Sequence, residues 1–280
     1  MIDVAAASPP IAASPRLQRA AGSGRVAVQA AGGRTRLRDL FQEGCAQIRL
    51  PRDAAARGLE AVLINTAGGL TGGDRLAWRA EATQGAALTV STPACEKVYR
   101  ARDDAAESLV TLEAGPGARL AWLPQETILF DGAALRRRLD ISLAADAEVV
   151  VVEAVVLGRE AMGESVRAGA LHDRWRVRRE GRLAFADDLR LEGPVSEIAA
   201  RAAVLAGGRA FASLLLVAPD AEDRLRPLRH ALGGDGGASA FDGKLFCRIA
   251  ARDGRGLRHA LVRALGALRE GQPIPRVWRT

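Results

Sequence analysis

The chain has 280 residues, 48% of them hydrophobic, with a mean hydropathy near zero, which is the composition of a soluble globular protein able to bury one large or two small cores. Its net charge of +7 comes almost wholly from arginine, Lys97 and Lys244 being the lysines, while aromatics make up 4% and the arginines are scattered. That pattern argues against a nucleic-acid module, which clusters charge and interleaves aromatics, and the longest apolar run, 149–157, is broken by Glu153 and too short to span a bilayer.

Residues 1–15, rich in Ala, Pro and Ser around Pro9-Pro10, read as a flexible lead-in. They have neither a basic n-region nor a continuous h-region, so a cytoplasmic protein is expected. From about 24 to 192 the dominant signal is period two, the mark of strands with one buried face. Leu76, Trp78 and Ala80 alternate with Arg75, Arg79 and Glu81. The alternation returns with Val110 and Leu112, with Leu139, Ile141 and Leu143, and with Leu171, Trp175 and Val177. After a turn at Glu180-Gly181-Arg182 it resumes through Leu183, Phe185, Leu189 and Leu191. Residues 148–153, four valines between glutamates, read as a strand buried on both faces. No fixed-period sequence repeat is visible.

The last third changes character. Residues 220–232 place Ala221, Leu225, Leu228 and Leu232 at helical spacing behind an Asp220 N-cap, and Gly233-Gly234-Asp235-Gly236-Gly237 breaks the helix. A strand is expected over 241–251. Residues 256–269 give the clearest helix, with Leu257, Ala260, Leu261, Ala264, Leu265 and Leu268 on one face and Gly271 beyond its end. The chain reads as a single domain over 16–280, a β body to about 195 followed by a mixed helix and strand part over 196–280.

The residues offer little conventional catalytic chemistry. Cys45, Cys95 and Cys247 are far apart, and His172, His230 and His259 stand in no metal-ligand spacing. Asn65-Thr66-Ala67-Gly68-Gly69-Leu70-Thr71-Gly72-Gly73-Asp74-Arg75-Leu76 invites comparison with a phosphate cradle. A Walker loop needs a lysine and hydroxyl after its last glycine, and a dinucleotide loop needs a helix. Here Asp74 and an alternating strand follow, so a tight turn between strands is the expectation. A small-molecule enzyme built from distant carboxylates and a basic β-rich nucleic-acid binder remain as alternatives.

Four ordered motifs carry more. They are the glycine segment 65–76, Thr92-Pro93-Ala94-Cys95-Glu96-Lys97-Val98-Tyr99-Arg100, Trp122-Leu123-Pro124-Gln125-Glu126-Thr127-Ile128, and Leu157-Gly158-Arg159-Glu160-Ala161-Met162-Gly163-Glu164. Together they resemble the urease accessory protein UreD (UreH) family over residues 20–195, and Pro275-Arg276-Val277-Trp278 is similar to the family's closing segment. The resemblance implies a mainly β, helically wound, solenoid-like body with a few helices towards the C-terminus. It implies no turnover chemistry and no permanently bound cofactor. The implied partners are the UreF and UreG accessory proteins and the urease apoprotein, with nickel(II) in transit along an internal polar route, and neither nucleic acid nor membrane.

Within those motifs Asp74, Glu126, Glu153 and Glu164 are the candidate carboxylates of a nickel path, since hard oxygen ligands leave exchange easy. For Asp74 the competing reading is a turn cap, and for Glu153 a pair with an arginine. Gly68, Gly69, Gly72, Gly73, Lys97, Tyr99, Arg100, Gly158 and Arg159 are the candidate motif and interface residues, with Lys97 and Tyr99 on one strand face. His172 reads as a solvated residue on a polar face. The sequence departs from the common family pattern at Asn65-Thr66-Ala67 and at Cys95-Glu96, so no metal role is assigned to Cys95, and none to the Ala-rich segment 200–240.

Overall fold

The computed structural model describes residues 18–51, 58–269 and 272–278; the expected lead-in at 1–15 and the helix-ending Gly271 lie outside the described residues. A hairpin of β1 (Ala21–Ala31) and β2 (Arg34–Gly44) leads through β3 (Ala46–Arg49) and β4 (Leu59–Asn65) into a wound body. That body comprises β5 (Arg75–Ala82), β6 (Ala87–Ser91), β7 (Glu96–Val98), β8 (Ala106–Ala114), β9 (Arg119–Leu123), β10 (Thr127–Leu129), β11 (Ala134–Leu143), β12 (Glu148–Leu157) and β13 (Gly169–Arg179). There follow β14 (Arg182–Gly193), α1 (Val195–Ala200), β15 (Ala210–Val217), α2 (Leu225–Leu232), β16 (Gly236–Phe241), β17 (Lys244–Ala251) and α3 (Gly254–Leu268), with short 3-10 turns at Glu160–Met162 and Arg276–Trp278.

Among the described residues the strands make two sheets, in the orders β14-β13-β11-β8-β5-β1-β2 and β16-β17-β15-β12-β9-β6-β4-β3. The chain crosses from one sheet to the other and back, so that β5, β8, β11 and β13 pair in parallel on one side and β4, β6, β9 and β12 on the other. Short β7 and β10 form a third wall, β10 pairing in parallel with both β7 and the end of β12. This is the solenoid-like, mainly β body that the resemblance implied. Its coils are unequal in length, which is why no sequence repeat is visible: paired residues lie 29 apart at Leu59 and Leu88, 32 at Arg75 and Glu107 and 36 at Ala134 and Ala170, although the side-chain contacts Asn65–Glu96, Cys95–Glu126, Arg100–Asp131 and Trp122–Glu153 join residues 31 apart. Backbone pairing sets the coil length, and side chains repeat only in being apolar or polar on the proper face.

The interior between the sheets takes alternate residues of every coil. Leu76, Trp78, Val110, Leu112, Leu139, Ile141, Leu171 and Trp175 are all buried there, as period two required. Leu183 departs from the pattern, being 58% exposed, because a bulge at Val177/Arg178 shifts the register of β13 against β14 and turns Leu183 outward. β12 is buried on both faces: Val149, Val151 and Val155 face the interior, and Val150 and Val152 face a second core under α2 and α3.

That second core explains two differences in the last third. β15 is buried along its whole length, pairing β12 and β17 in the middle of the sheet, so the Ala-rich segment contains a central strand. The helix expected from 220 begins at Leu225 with Arg224 at its N-cap. The Asp220 carboxylate accepts Arg224 Nε and Nη2. The glycine run does end α2, yet Gly236 and Gly237 already belong to β16. α3 starts at Gly254, where Asp253 accepts Gly256 N at 2.6 Å. Its six predicted apolar residues are all buried.

Candidate functional site

Three consecutive strands, two from the first sheet and one from the second, each turn a charged residue into the coil interior. β11 presents Arg137 between Leu135 and Leu139, β12 presents Glu153 between Val151 and Val155, and β13 presents Asp173 between Leu171 and Trp175; each is 5% exposed or less. Arg137 donates Nε to Asp173 Oδ1 at 3.1 Å and Nη2 to Asp173 Oδ2 at 2.6 Å. Its Nη1 pairs with Glu153 Oε2 and lies 3.3 Å from Thr127 Oγ1. Trp122 Nε1 donates to Glu153 Oε1 at 2.9 Å, and Trp175 Nε1 to Asp173 Oδ1 at 3.1 Å. Two carboxylates thus share one guanidinium. Burial raises the Glu153 pKa, and the Arg137 charge only partly offsets this. For Arg137 burial also disfavours charge, but Asp173 and Glu153 together outweigh it and hold the guanidinium protonated.

The polar file continues towards the start of the coil. Glu96 on β7 is in register with Thr127 on β10, one strand spacing away, roughly 4.8 Å. It accepts Asn65 Nδ2 at 3.2 and 3.3 Å. Burial pushes its pKa up to about 7, against the opposing effects of Asn65 and the Lys97 N–H. Asn65, Glu96, Thr127, Arg137, Glu153 and Asp173 are therefore contributed by all three walls of the coil.

The four candidate carboxylates lie in four different settings. Asp74 accepts Ala20 N and Thr71 N, both at 2.8 Å, and so caps the glycine turn and ties down the approach to β1. Glu126 accepts Arg258 Nε at 2.7 Å and Nη2 at 2.5 Å from α3, with Cys95 Sγ at 3.5 Å. Burial and then Glu126 push the Cys95 thiol up to about 11. Glu164 accepts Arg159 N, Nε and Nη2 at 2.9 to 3.0 Å and Asp131 N at 3.3 Å, and its pKa is lowered, chiefly by the Arg159 side chain. Only Glu153 of the four joins the Arg137 cluster, in the arginine pair weighed for it. Among the described residues no three His, Cys, Asp or Glu side chains gather to hold a metal ion.

Sequence reasoning passed over Glu96, Arg137 and Asp173. A signal existed for two of them: residues 137 and 173 carry charges at positions where the strand parity requires apolar side chains.

The glycine turn packs against β7. Leu70 N donates to Lys97 O at 2.7 Å, Tyr99 N to Leu70 O at 2.8 Å, and the Tyr99 hydroxyl to Gly68 O at 3.2 Å. A Cβ on Gly72 would lie 2.2 Å from Asp104 O, and Gly73 has φ 85°. Space around Gly69, Gly72 and Gly73 is filled by protein, as a turn between strands requires, whereas Gly68 faces open space. Lys97 is exposed on the same strand. Tyr99 meets Phe130 edge-on at 5.0 Å, and the Arg159 guanidinium lies 4.5 Å from the Phe130 centroid. Arg100 and Arg167 both reach Asp131 Oδ2, at 2.7 and 2.9 Å. Gly158, at φ 77°, lets Glu164 O approach. The structure thus brings Tyr99, Arg100, Arg159 and Glu164 from two separate motifs to one open cleft of about 660 Å³. His172 lies apart, paired with Asp188 at 2.7 Å on the outer face.

A family model described as "UreD urease accessory protein" matches residues 20–279. The chain belongs to the UreD family. It is 54% identical over 269 residues to the urease accessory protein UreD of Rhizobium leguminosarum bv. viciae, covering 96% of this chain and 98% of that one. With the UreD of Agrobacterium fabrum (strain C58 / ATCC 33970) it shares 52% over 263 residues, covering 94% and 92%. With that of Mesorhizobium japonicum (strain LMG 29417 / CECT 9101 / MAFF 303099) it shares 50% over 275 residues, covering 97% and 96%. The match runs through the Ala-rich segment as well as the motifs, and the family is one of accessory proteins, not enzymes. No helix among the described residues is long and apolar enough to cross a membrane.

Proposed function

We propose that this chain acts in the cytoplasm as a scaffold and conduit in urease maturation, working in complex with the UreF and UreG accessory proteins and passing nickel(II) to the urease apoprotein. The observation that carries the reading is the file of oxygen ligands inside the coil of a UreD-family chain, from half-buried Glu96 past buried Thr127 to buried Glu153 and Asp173. A resting metal site would gather three or four ligands and hold its ion; a transit route needs ligands that bind briefly. Arg137 fits that purpose. In the metal-free protein it neutralises much of the charge of Glu153 and Asp173, and an arriving dication competes for the same oxygens. Glu96, titrating near neutrality, exchanges a proton for the cargo ion at little cost in net charge.

The arginine-rich composition fits a protein partner better than a nucleic acid. On the outer sheet face Arg75, Arg79, Arg25 and Arg38 are spent in ion pairs with Glu107, Glu113, Asp39 and Glu81. The test is co-expression of the tagged chain with UreF, UreG and urease, followed by size-exclusion chromatography and metal analysis. Omitting the chain is expected to leave urease nickel-poor, and Glu153→Gln combined with Asp173→Asn to lower nickel per urease several-fold while the complex still forms. Full nickel loading with the intact double variant would remove the interior route; full loading without the chain would remove the maturation role.

A further inference from the structure

We infer that the cleft between Tyr99, Phe130 and the 159–167 loop is a docking site for an acidic segment of a partner protein, one carrying carboxylates beside an apolar side chain. Three arginines surround it and two carboxylates lie beneath them. Asp131 and Glu164 are already saturated: Asp131 accepts Arg167 N, Ala168 N and both Arg100 and Arg167, and Glu164 takes three donors from Arg159 and one from Asp131 N. Asp131 is consequently held at about pKa 2, first by Arg167 and then by the Ala168 N–H.

The arginines are not saturated. A guanidinium carries five N–H donors in a planar fork. Among the described residues the Arg100 and Arg167 side chains each donate through Nη2 alone, both to the same oxygen, although they are 65% and 80% exposed. Asp131 thus works as a positioning residue that splays two forks around one point and leaves their remaining donors to solvent. Such paired forks match a carboxylate bidentately.

The lip of the cleft selects against a bare anion. Tyr99, which lines the cleft, is 39% exposed and meets Phe130 edge-on. Arg and Tyr are over-represented at protein interfaces, where an aromatic anchor and a charge are buried together. A stacked base would need open ring faces, whereas the Phe130 face is covered by Arg159. The assignment deepens the maturation reading by stating what the partner's contacting segment is made of.

The experiment measures fluorescence anisotropy of the full chain with a labelled ten-residue peptide alternating Glu and Leu, its Gln-for-Glu counterpart, and inorganic phosphate as competitor. The acidic peptide is expected to bind, the Gln peptide at least tenfold more weakly. Arg100→Gln with Arg167→Gln should weaken the acidic peptide at least fivefold. Arg34→Gln with Arg36→Gln, the same charge change on exposed β2, should alter it less than twofold. On the unmodified chain, hydrogen exchange should slow over 159–168 when peptide is added. Equal binding of both peptides, equal loss in both double variants, displacement by phosphate at equal anion concentration, or protection elsewhere would each overturn the assignment. If it falls while urease nickel still depends on this chain, the maturation reading stands without this cleft.

Discussion

Arg137 is a residue whose removal does more than delete a contact. It is the cation between Glu153 and Asp173, and the indole N–H groups of Trp122 and Trp175 cannot replace its charge. Arg137→Met fills the volume but strands two carboxylates in the interior, so a loss of about 3–5 kcal/mol is expected in a denaturant titration at pH 7. Lowering the pH should recover part of it, since the stranded carboxylates can then take up protons. Glu96 gives a second expectation with a defined sign. Its folded pKa of about 7 stands above its ordinary 4.5, so the folded chain holds the extra proton between those values. Stability linked to Glu96 is therefore full below about pH 4.5 and is lost as pH rises to about 7. Glu96→Gln should gain on the parent over that window and run parallel to it above, as urea titrations at several pH values would reveal; a constant difference would mean that Glu96 does not titrate there. Glu96 was hidden in the sequence because β7 is only three residues long and shows no period of its own. Arg137 and Asp173 were legible in principle, as charges out of phase in long strands. Their partnership across β11, β12 and β13 depended on the coil register, which no local signal supplies.

At the scale of elements, the glycine turn before β5 is where sequence and structure agree most closely, and it separates two uses of glycine. Gly68, at φ 77°, has open space where a Cβ would stand, whereas at Gly69, φ 148°, a Cβ would meet Tyr99 Cε2 at 2.4 Å and Lys97 O at 2.7 Å. Gly68→Ala should cost about 1 kcal/mol through backbone strain alone. Gly69→Ala should cost about 3 kcal/mol, because it must also push β7 away from Leu70. Paired thermal melts would check the order, and equal losses would mean the turn does not rest on β7. Long strands such as β5, β11 and β13 were legible because one face is buried and one solvated. β15 was not, because a strand buried on both faces has no alternation, and its alanines fit either element. The start of α2 was misread for a related reason: Asp220 has the chemistry of a cap, but its carboxylate is engaged by Arg224.

For the molecule as a whole, the wound body is closed on one side only by its C-terminal part. The outer face of the second sheet carries Val150, Val152, Leu214, Leu216, Leu245 and Ile249, and α3 covers it with Leu257, Leu261, Leu265 and Leu268. The tail then locks α3 in place. Trp278 donates its indole N–H to Leu123 O at 3.0 Å, and Arg258 lies 4.8 Å from the Trp278 ring while holding Glu126 and Gln125. This lock joins two sequence motifs, the Gln125-Glu126 pair and the closing Trp278, that are far apart in the chain. Trp278→Ala should therefore cost about 3–5 kcal/mol, because it opens a cavity and frees Arg258 from its aromatic support. Ending the chain at residue 253 tests the dependence more severely. Every strand would still be encoded, yet the apolar face that α3 covers would open to solvent, and soluble monomers rarely leave a large contiguous apolar patch exposed. The truncated chain is expected to collect in the insoluble fraction, or to bind a hydrophobic dye strongly if it is recovered. A soluble, dye-silent product with an unchanged β spectrum would show instead that the coil stands alone and that α3 is an addition to it.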